Sequence, residues 1–301
     1  MSTAPTSTAI DRRVFTPAVI AAVVVTVLAW ASAFVVIRGL GSAFEPGALA
    51  LGRMLVGAAG LGVLMIGRRW VAPTPREWLL MAGYGALWFG VYNIVLNLAE
   101  QTLDAGTTAM VVNIGPLLIA LGAAVFLAEG LHRWLVSGLA VAFVGVVLIG
   151  VANGASAAHL GWGVVAALGA AITYAAGVLL QKPALARIPV AQATFIGSIA
   201  GVIVCLPFAG ALAQDLASAV VPEVLGVVYM GLVPTAIAFS TWGYALKRVP
   251  AGQLGVTTYV VPPLVIVAGA VFFGEIPAGP AIIGGVLCLV GVGISRRRRR
   301  V

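Results

Sequence analysis

Apolar and polar positions divide the chain into ten long apolar runs, parted by short clusters of charge, proline and glycine. A helix that crosses a bilayer needs about 20 mostly apolar residues, and each run is close to that length. The runs lie near 17–37, 46–67, 78–99, 106–128, 134–152, 160–181, 189–210, 223–246, 252–273 and 278–295. They predict an all-α integral membrane protein with ten transmembrane helices. On this reading the chain comprises a cytoplasmic N-terminal tail at 1–16, a five-helix unit at 17–152, an external linker at 153–159, a second five-helix unit at 160–295 and a basic cytoplasmic tail at 296–301.

Composition excludes a water-soluble globule, because 301 residues at 61% apolar and 9% charged leave too little polar surface to cover one. Charge then orients the helices, since Lys and Arg collect on the cytoplasmic side of a membrane. With the N-terminus inside, the cytoplasmic segments hold Arg12, Arg13, Arg68, Arg69, Arg76, Arg133, Lys182, Arg187, Lys247, Arg248 and Arg296 to Arg300. These are fifteen of the seventeen basic residues, so the formal charge of +8 is a topology signal. The external segments hold Glu45, Glu100, Asp104, Asp215, Glu223 and Glu275, with Arg38 as a basic exception. The terminal Arg run has no aromatic or polar recognition surface around it, so anionic lipid headgroups are its expected partner and nucleic acid is not. The Arg pair at 12–13, followed by an apolar stretch containing Ala31-Ser32-Ala33, is not read as a cleaved signal, because that stretch is long enough to span and nine more follow. Cys205 and Cys288 fall inside apolar runs and are expected as buried thiols.

A shift of 146 residues lays 104–148 on 250–294 without a gap and gives twelve identities in forty-five positions. Composition alone gives about four. Pro116 meets Pro262, Phe126 meets Phe272, Glu129 meets Glu275 and Gly145 meets Gly291. Upstream the echo is weaker, with Trp30 facing Tyr174 and Pro46 facing Pro189. The two five-helix units are therefore two copies of one unit. Five is odd, so the second copy enters the membrane from the opposite side, which puts Glu129 inside and Glu275 outside. Inverted repeats of this kind are the construction of many secondary transporters, whose two copies open alternately to either side.

The chemistry inside the runs is sparse. His132 and His159 fall in loops, no Asp lies in a helix core, and no Walker, HExxH or metal-ligand spacing occurs, which speaks against an enzyme and calls for no cofactor or metal. Arg53 is the basic residue well inside a run, the eighth counting from Pro46 and so roughly 12 Å along the helix. It either faces a central cavity and receives a carboxylate or snorkels to a neighbouring helix end. Tyr92, Asn93 and Asn97 recur at helical spacing, so one face is expected to carry them toward protein or water, as interhelical glue or as ligand contacts. Asn113, which the repeat sets on Tyr259, marks the preferred cavity wall, with Trp242, Trp30 and Tyr174 as further candidates. Pro116 and Pro262 interrupt their helices and serve as hinges or as fixed bends. Glu129 and Glu275 are read as structural, at helix starts where amide groups favour a carboxylate. Gly138 with Gly145, and Gly284 with Gly291, suit close helix contact, within one chain or between two copies in a homodimer.

These features resemble a known family. WASAF at 30–34, Pro46 followed by Arg53, and a mid-helix Pro leading to FLAEG at 126–130 and FFGE at 272–275 are similar to the drug/metabolite transporter superfamily, in its EamA branch. The resemblance covers nearly the whole chain. It implies a polytopic plasma-membrane carrier, with both termini cytoplasmic, that exports amino acids, other metabolites or toxic compounds through a cavity between the halves. Trp30, Arg53, Pro116, Glu129, Pro262 and Glu275 match its recurrent positions, whereas AEG in the first half departs from the more usual GE. The reading is a secondary transporter of a small metabolite such as an amino acid, its carboxylate on Arg53 and its other contacts from Tyr92, Asn93, Asn97, Asn113, Trp242 and Tyr259. A multidrug exporter is the alternative, and a membrane enzyme or scaffold is the third reading. No buried carboxylate is legible as a proton site, which leaves energy coupling open.

Overall fold

The structure, a computed structural model, describes residues 16–126, 133–152, 161–249 and 251–295, and their regular structure is helical. We label α1 Pro17–Leu40, α2 Pro46–Met65, α3 Pro75–Glu100, α4 Ala105–Val112 resuming as Gly115–Phe126, and α5 Arg133–Ala152. The second half follows as α6 Trp162–Ala184, α7 Val190–Ser218, α8 Val221–Arg248, α9 Ala251–Gly255 running through Val256–Val260 into Val261–Phe273, and α10 Gly279–Ser295. Six of these, α1, α2, α3, α6, α7 and α8, are long and apolar enough to cross a membrane, and Ala105–Ile119, Ala140–Ile149, Thr257–Phe273 and Gly279–Gly291 are shorter apolar helices. Large apolar side chains face outward: Leu79, Leu225, Val271 and Phe272 are 60–74% exposed. Such a surface is at home in lipid, not in water.

The helix starts follow local chemistry. Thr16 caps α1 through the amide of Val19, and Pro17 takes the first helical position, where its missing N–H costs nothing. Thr74 and Glu77 cap α3 reciprocally, which starts it three residues ahead of the predicted 78. α7 runs past the predicted 210, turning through Leu206–Phe208 around Pro207 and continuing to Ser218. The carboxylate of Asp215 there accepts the Glu45 amide at 2.9 Å and ties this extension to the start of α2.

The backbone carries the repeat further upstream than the residue matches do. Glu77 near the start of α3 and Glu223 near the start of α8 stand 146 residues apart, and each carboxylate accepts an amide three residues before it. Both helices then widen into a π segment, at Gly85–Val91 and Leu232–Ile237. In α8, Pro234 has no N–H for Met230, and the Thr235 hydroxyl donates to that carbonyl at 2.9 Å. In α3 the amide of Asn93 donates to the Phe89 carbonyl at 2.7 Å. α4 and α9 are also irregular at matching places, a turn at 113–114 before Pro116 and a 3₁₀ stretch before Pro262.

Packing interlocks the halves. α1 lies against α8 and α9 of the other half, and α6 lies against α3 and α4, so each first helix is exchanged into the opposite unit. α2 packs on α7, and α5 on α10. The last contact is glycine-built: a Cβ added to Gly284 would stand 2.5 Å from the Gly145 carbonyl oxygen, and one on Gly291 would strike Gly138. These four glycines therefore meet within one chain, which removes their call for a second copy.

Candidate functional site

Where α1, α2, α3 and α6 converge with α4, α8 and α9, they enclose a central cavity of about 40 Å³. Its wall is mostly aromatic. α1 supplies Trp30 and Phe34, and α3 supplies Trp88 and Tyr92, with Leu96 completing a stripe at four-residue spacing. Tyr174 and Phe239 come from the second half. The Trp30 ring lies 5.5 Å from that of Phe239 and 6.0 Å from that of Trp88, edge-on, an arrangement that fixes the rings relative to one another. Asn113 and Thr258 close the side formed by the two irregular helices, linked by a 3.4 Å contact between the Thr258 hydroxyl and the Asn113 carbonyl oxygen.

Arg53 brings a charge to this wall. It is 2% exposed, its Nε donates to Thr235 Oγ1 at 2.8 Å, and its Nη1 is buried without a hydrogen-bond partner. The π segment of α8 positions Thr235, so a local backbone defect in one half orients the cation of the other. A planar guanidinium held at one edge and free at another is suited to a carboxylate or phosphate, which it binds through paired donors. A water needs about 10–15 Å³ and small-molecule pockets usually span about 300–1,000 Å³. The cavity as it stands therefore has room for a few waters and must widen to hold a metabolite.

Of the residues singled out in the sequence, Trp30, Arg53, Tyr92, Asn113 and Tyr174 lie on this cavity. Asn93, Asn97, Trp242 and Tyr259 are absent from its lining. Asn93 and Asn97 sit one residue round α3 from Tyr92 and Leu96, a turn of about 100° that takes them off the cavity face. Asn93 serves the π segment, and Asn97 donates to the Pro46 carbonyl at 2.9 Å, bonding α3 to the first turn of α2. Both therefore act as glue. Trp242 stands behind Trp30 at 5.0 Å, and Thr258 takes the inward position beside Tyr259. Glu129 lies outside the described residues. Glu275 does not cap a helix through its side chain: Gly274, at φ 66°, ends α9 in the left-handed conformation, and the turn sets the Glu275 carboxylate on Arg38 of α1, 2.5 Å from Nη2.

Sequence reading passed over Trp88, Phe34, Phe239 and Thr258 as lining residues and Thr235 as the holder of Arg53. The four-residue spacing of Trp88, Tyr92 and Leu96 was the available signal; the asparagines, being costlier in lipid, drew attention one residue away. It also set Glu100 in an external segment, whereas this carboxyl is 2% exposed.

Two repeated helical units exchanging their first helices around a small aromatic cavity with a buried cation define a multi-pass membrane transporter. The chain belongs to the EamA-like transporter family, whose model matches residues 17–151 and again 161–297. A probable terminal-alkyne amino-acid exporter of Streptantibioticus cattleyicolor is 35% identical over 92% of this chain and 93% of its own. A probable amino-acid metabolite efflux pump of Salmonella typhimurium is 27% identical over 89% and 91%. A protein known from a crystal structure shares the fold, with a TM-score of 0.64 at 23% identity, over 92% of this chain and 97% of that one.

Proposed function

We propose that this protein is a ten-span secondary exporter of small amino-acid-like metabolites, lying in the plasma membrane with both termini cytoplasmic and working by alternating access between its two inverted halves. The observation that carries the cargo class is Arg53, a buried guanidinium with an unpartnered Nη1 on an otherwise aromatic cavity. It takes the carboxylate, while Trp30, Trp88 and Phe239 receive the apolar part of the cargo and Asn113 its polar atoms. The amino-acid exporter and amino-acid metabolite efflux pump among the relatives support the same class. The irregular backbone of α4 and α9, on both sides of the cavity, supplies the bending that lets it widen, with Pro116 and Pro262 as hinges. Multidrug export draws support from the aromatic lining and differs in needing no carboxylate. Uptake of labelled amino acids into proteoliposomes, wild type against Arg53→Ala, tests the reading. Saturable transport lost in Arg53→Ala is expected; transport of neutral aromatic drugs that is indifferent to Arg53 would replace it with the multidrug reading.

A further inference from the structure

Glu100 ends α3 one turn beyond Leu96 of the cavity wall, and Arg38 stands one turn beyond Phe34 on α1. The Glu100 carboxyl is buried, and neither Oε1 nor Oε2 has a hydrogen-bond partner. Arg38 touches the same residue from outside: its Nη1 donates to the Glu100 backbone carbonyl at 3.1 Å, while its Nε and Nη2 hold the Glu275 carboxylate at 2.9 and 2.5 Å. Arg38 thereby joins the first half to the α9–α10 turn of the second, one turn beyond the cavity wall. An ionised carboxylate buried without a donor is far costlier than the neutral acid. Among the described residues, the charged groups facing Glu100 are Arg38 from α1, Arg53 from α2, Asp104 at the start of α4 and Glu275 before α10. Two cations and two anions already balance, and a proton on Glu100 preserves that balance.

Resting on the exporter reading above, we propose that Glu100 is the proton-binding site that couples transport to a proton gradient. Protonated, it leaves Arg38 to Glu275, and this end of the bundle stays closed. When the proton leaves through the cavity to cytoplasmic water, the carboxylate takes Arg38 from Glu275 and frees α1 from the α9–α10 turn. The distribution of Lys and Arg sets this end outward. A proton arriving from outside then closes the carrier after cargo has left, the order that an exporter exchanging cargo for protons requires.

The test pairs infrared titration of the purified full-length protein in lipid with transport, using wild type, Glu100→Gln and Glu275→Gln. The proposal expects a protonated-carboxyl band that titrates with pH, is lost in Glu100→Gln at an unchanged thermal midpoint, and titrates at lower pH in Glu275→Gln because Arg38 is released. In proteoliposomes carrying an amino acid, the ratio of pH-gradient-driven uptake to counterflow collapses in Glu100→Gln. A band spectrum identical in wild type and Glu100→Gln, or gradient-driven uptake that persists in that variant, overturns it. Should the wild type carry no amino acid, the exporter reading fails while the infrared titration still decides the proton site.

Discussion

α3 and α8 occupy matching places in the two halves, begin 146 residues apart and widen into π segments at the same depth, yet they meet the cavity differently. α3 offers Trp88, Tyr92 and Leu96, whereas α8 offers Phe239 and spends Thr235 on holding Arg53. The positions 146 residues on from Trp88 and Tyr92 are Pro234 and Ala238. Likewise the seventh residue after Pro46 is Arg53, while the seventh after Pro189 is Ile196. The duplicated backbone keeps its irregular segments in both halves, and the side chains have diverged where they meet the cavity. A site at the centre of a two-copy structure is seen by both copies, so a charge is needed from only one.

Five substitutions probe this division of labour. Removing the asymmetric charge has the largest effect: Arg53→Leu lowers transport efficiency by at least about 25-fold, since losing one partner of a buried charged contact costs about 2–5 kcal/mol and each 1.4 kcal/mol is tenfold. Proteoliposome uptake measures it. Next, Gly284→Val strikes backbone that both halves share; overpacking against Gly145 destabilises by about 1–3 kcal/mol, read as a lower thermal unfolding midpoint in detergent. Third, the two faces of α3 separate. Trp88→Ala raises the half-saturating cargo concentration, whereas Asn93→Ala leaves it unchanged and costs about 1 kcal/mol of stability through the carbonyls it deserts. Smallest is Arg187→Gln. Arg187 meets Glu77 at the far end of α3, but its side chain is 47% exposed, so the thermal midpoint barely moves and the difference fades in high salt. An effect of Arg187→Gln as large as that of Arg53→Leu would show that closing the Glu77 end, not holding cargo, limits transport.

Legibility differed between these same regions. The repeat, the paired prolines and the cavity positions of Arg53, Asn113 and Tyr174 are readable because each is costly in lipid and rarely arises by chance in an apolar run. The sequence groups Tyr92 with Asn93 and Asn97, of which only Tyr92 lines the cavity, because helical spacing groups neighbours without saying which face looks inward. Sequence places Glu100 and Arg38 separately in external segments, because a charge at the end of an apolar run normally reaches water. Here the interlocked α1, the turn at Gly274 and the start of α4 cover that end and bury Glu100.

The sequence by itself determined the membrane class, the doubled unit and the family, since these depend on run length, composition and residue matches along the chain. Only tertiary structure decided which side chains share the cavity, that the four glycines meet within one chain, and that Arg38 serves Glu275 while the Glu100 carboxyl is left alone. Those outcomes turn on how helices of the two halves pack on one another, α1 on the α9–α10 turn and α2 on α8, which sets residues some two hundred positions apart within bonding distance, such as Arg38 and Glu275 or Arg53 and Thr235. No local pattern encodes such a contact, because its energy depends on both partners being buried together.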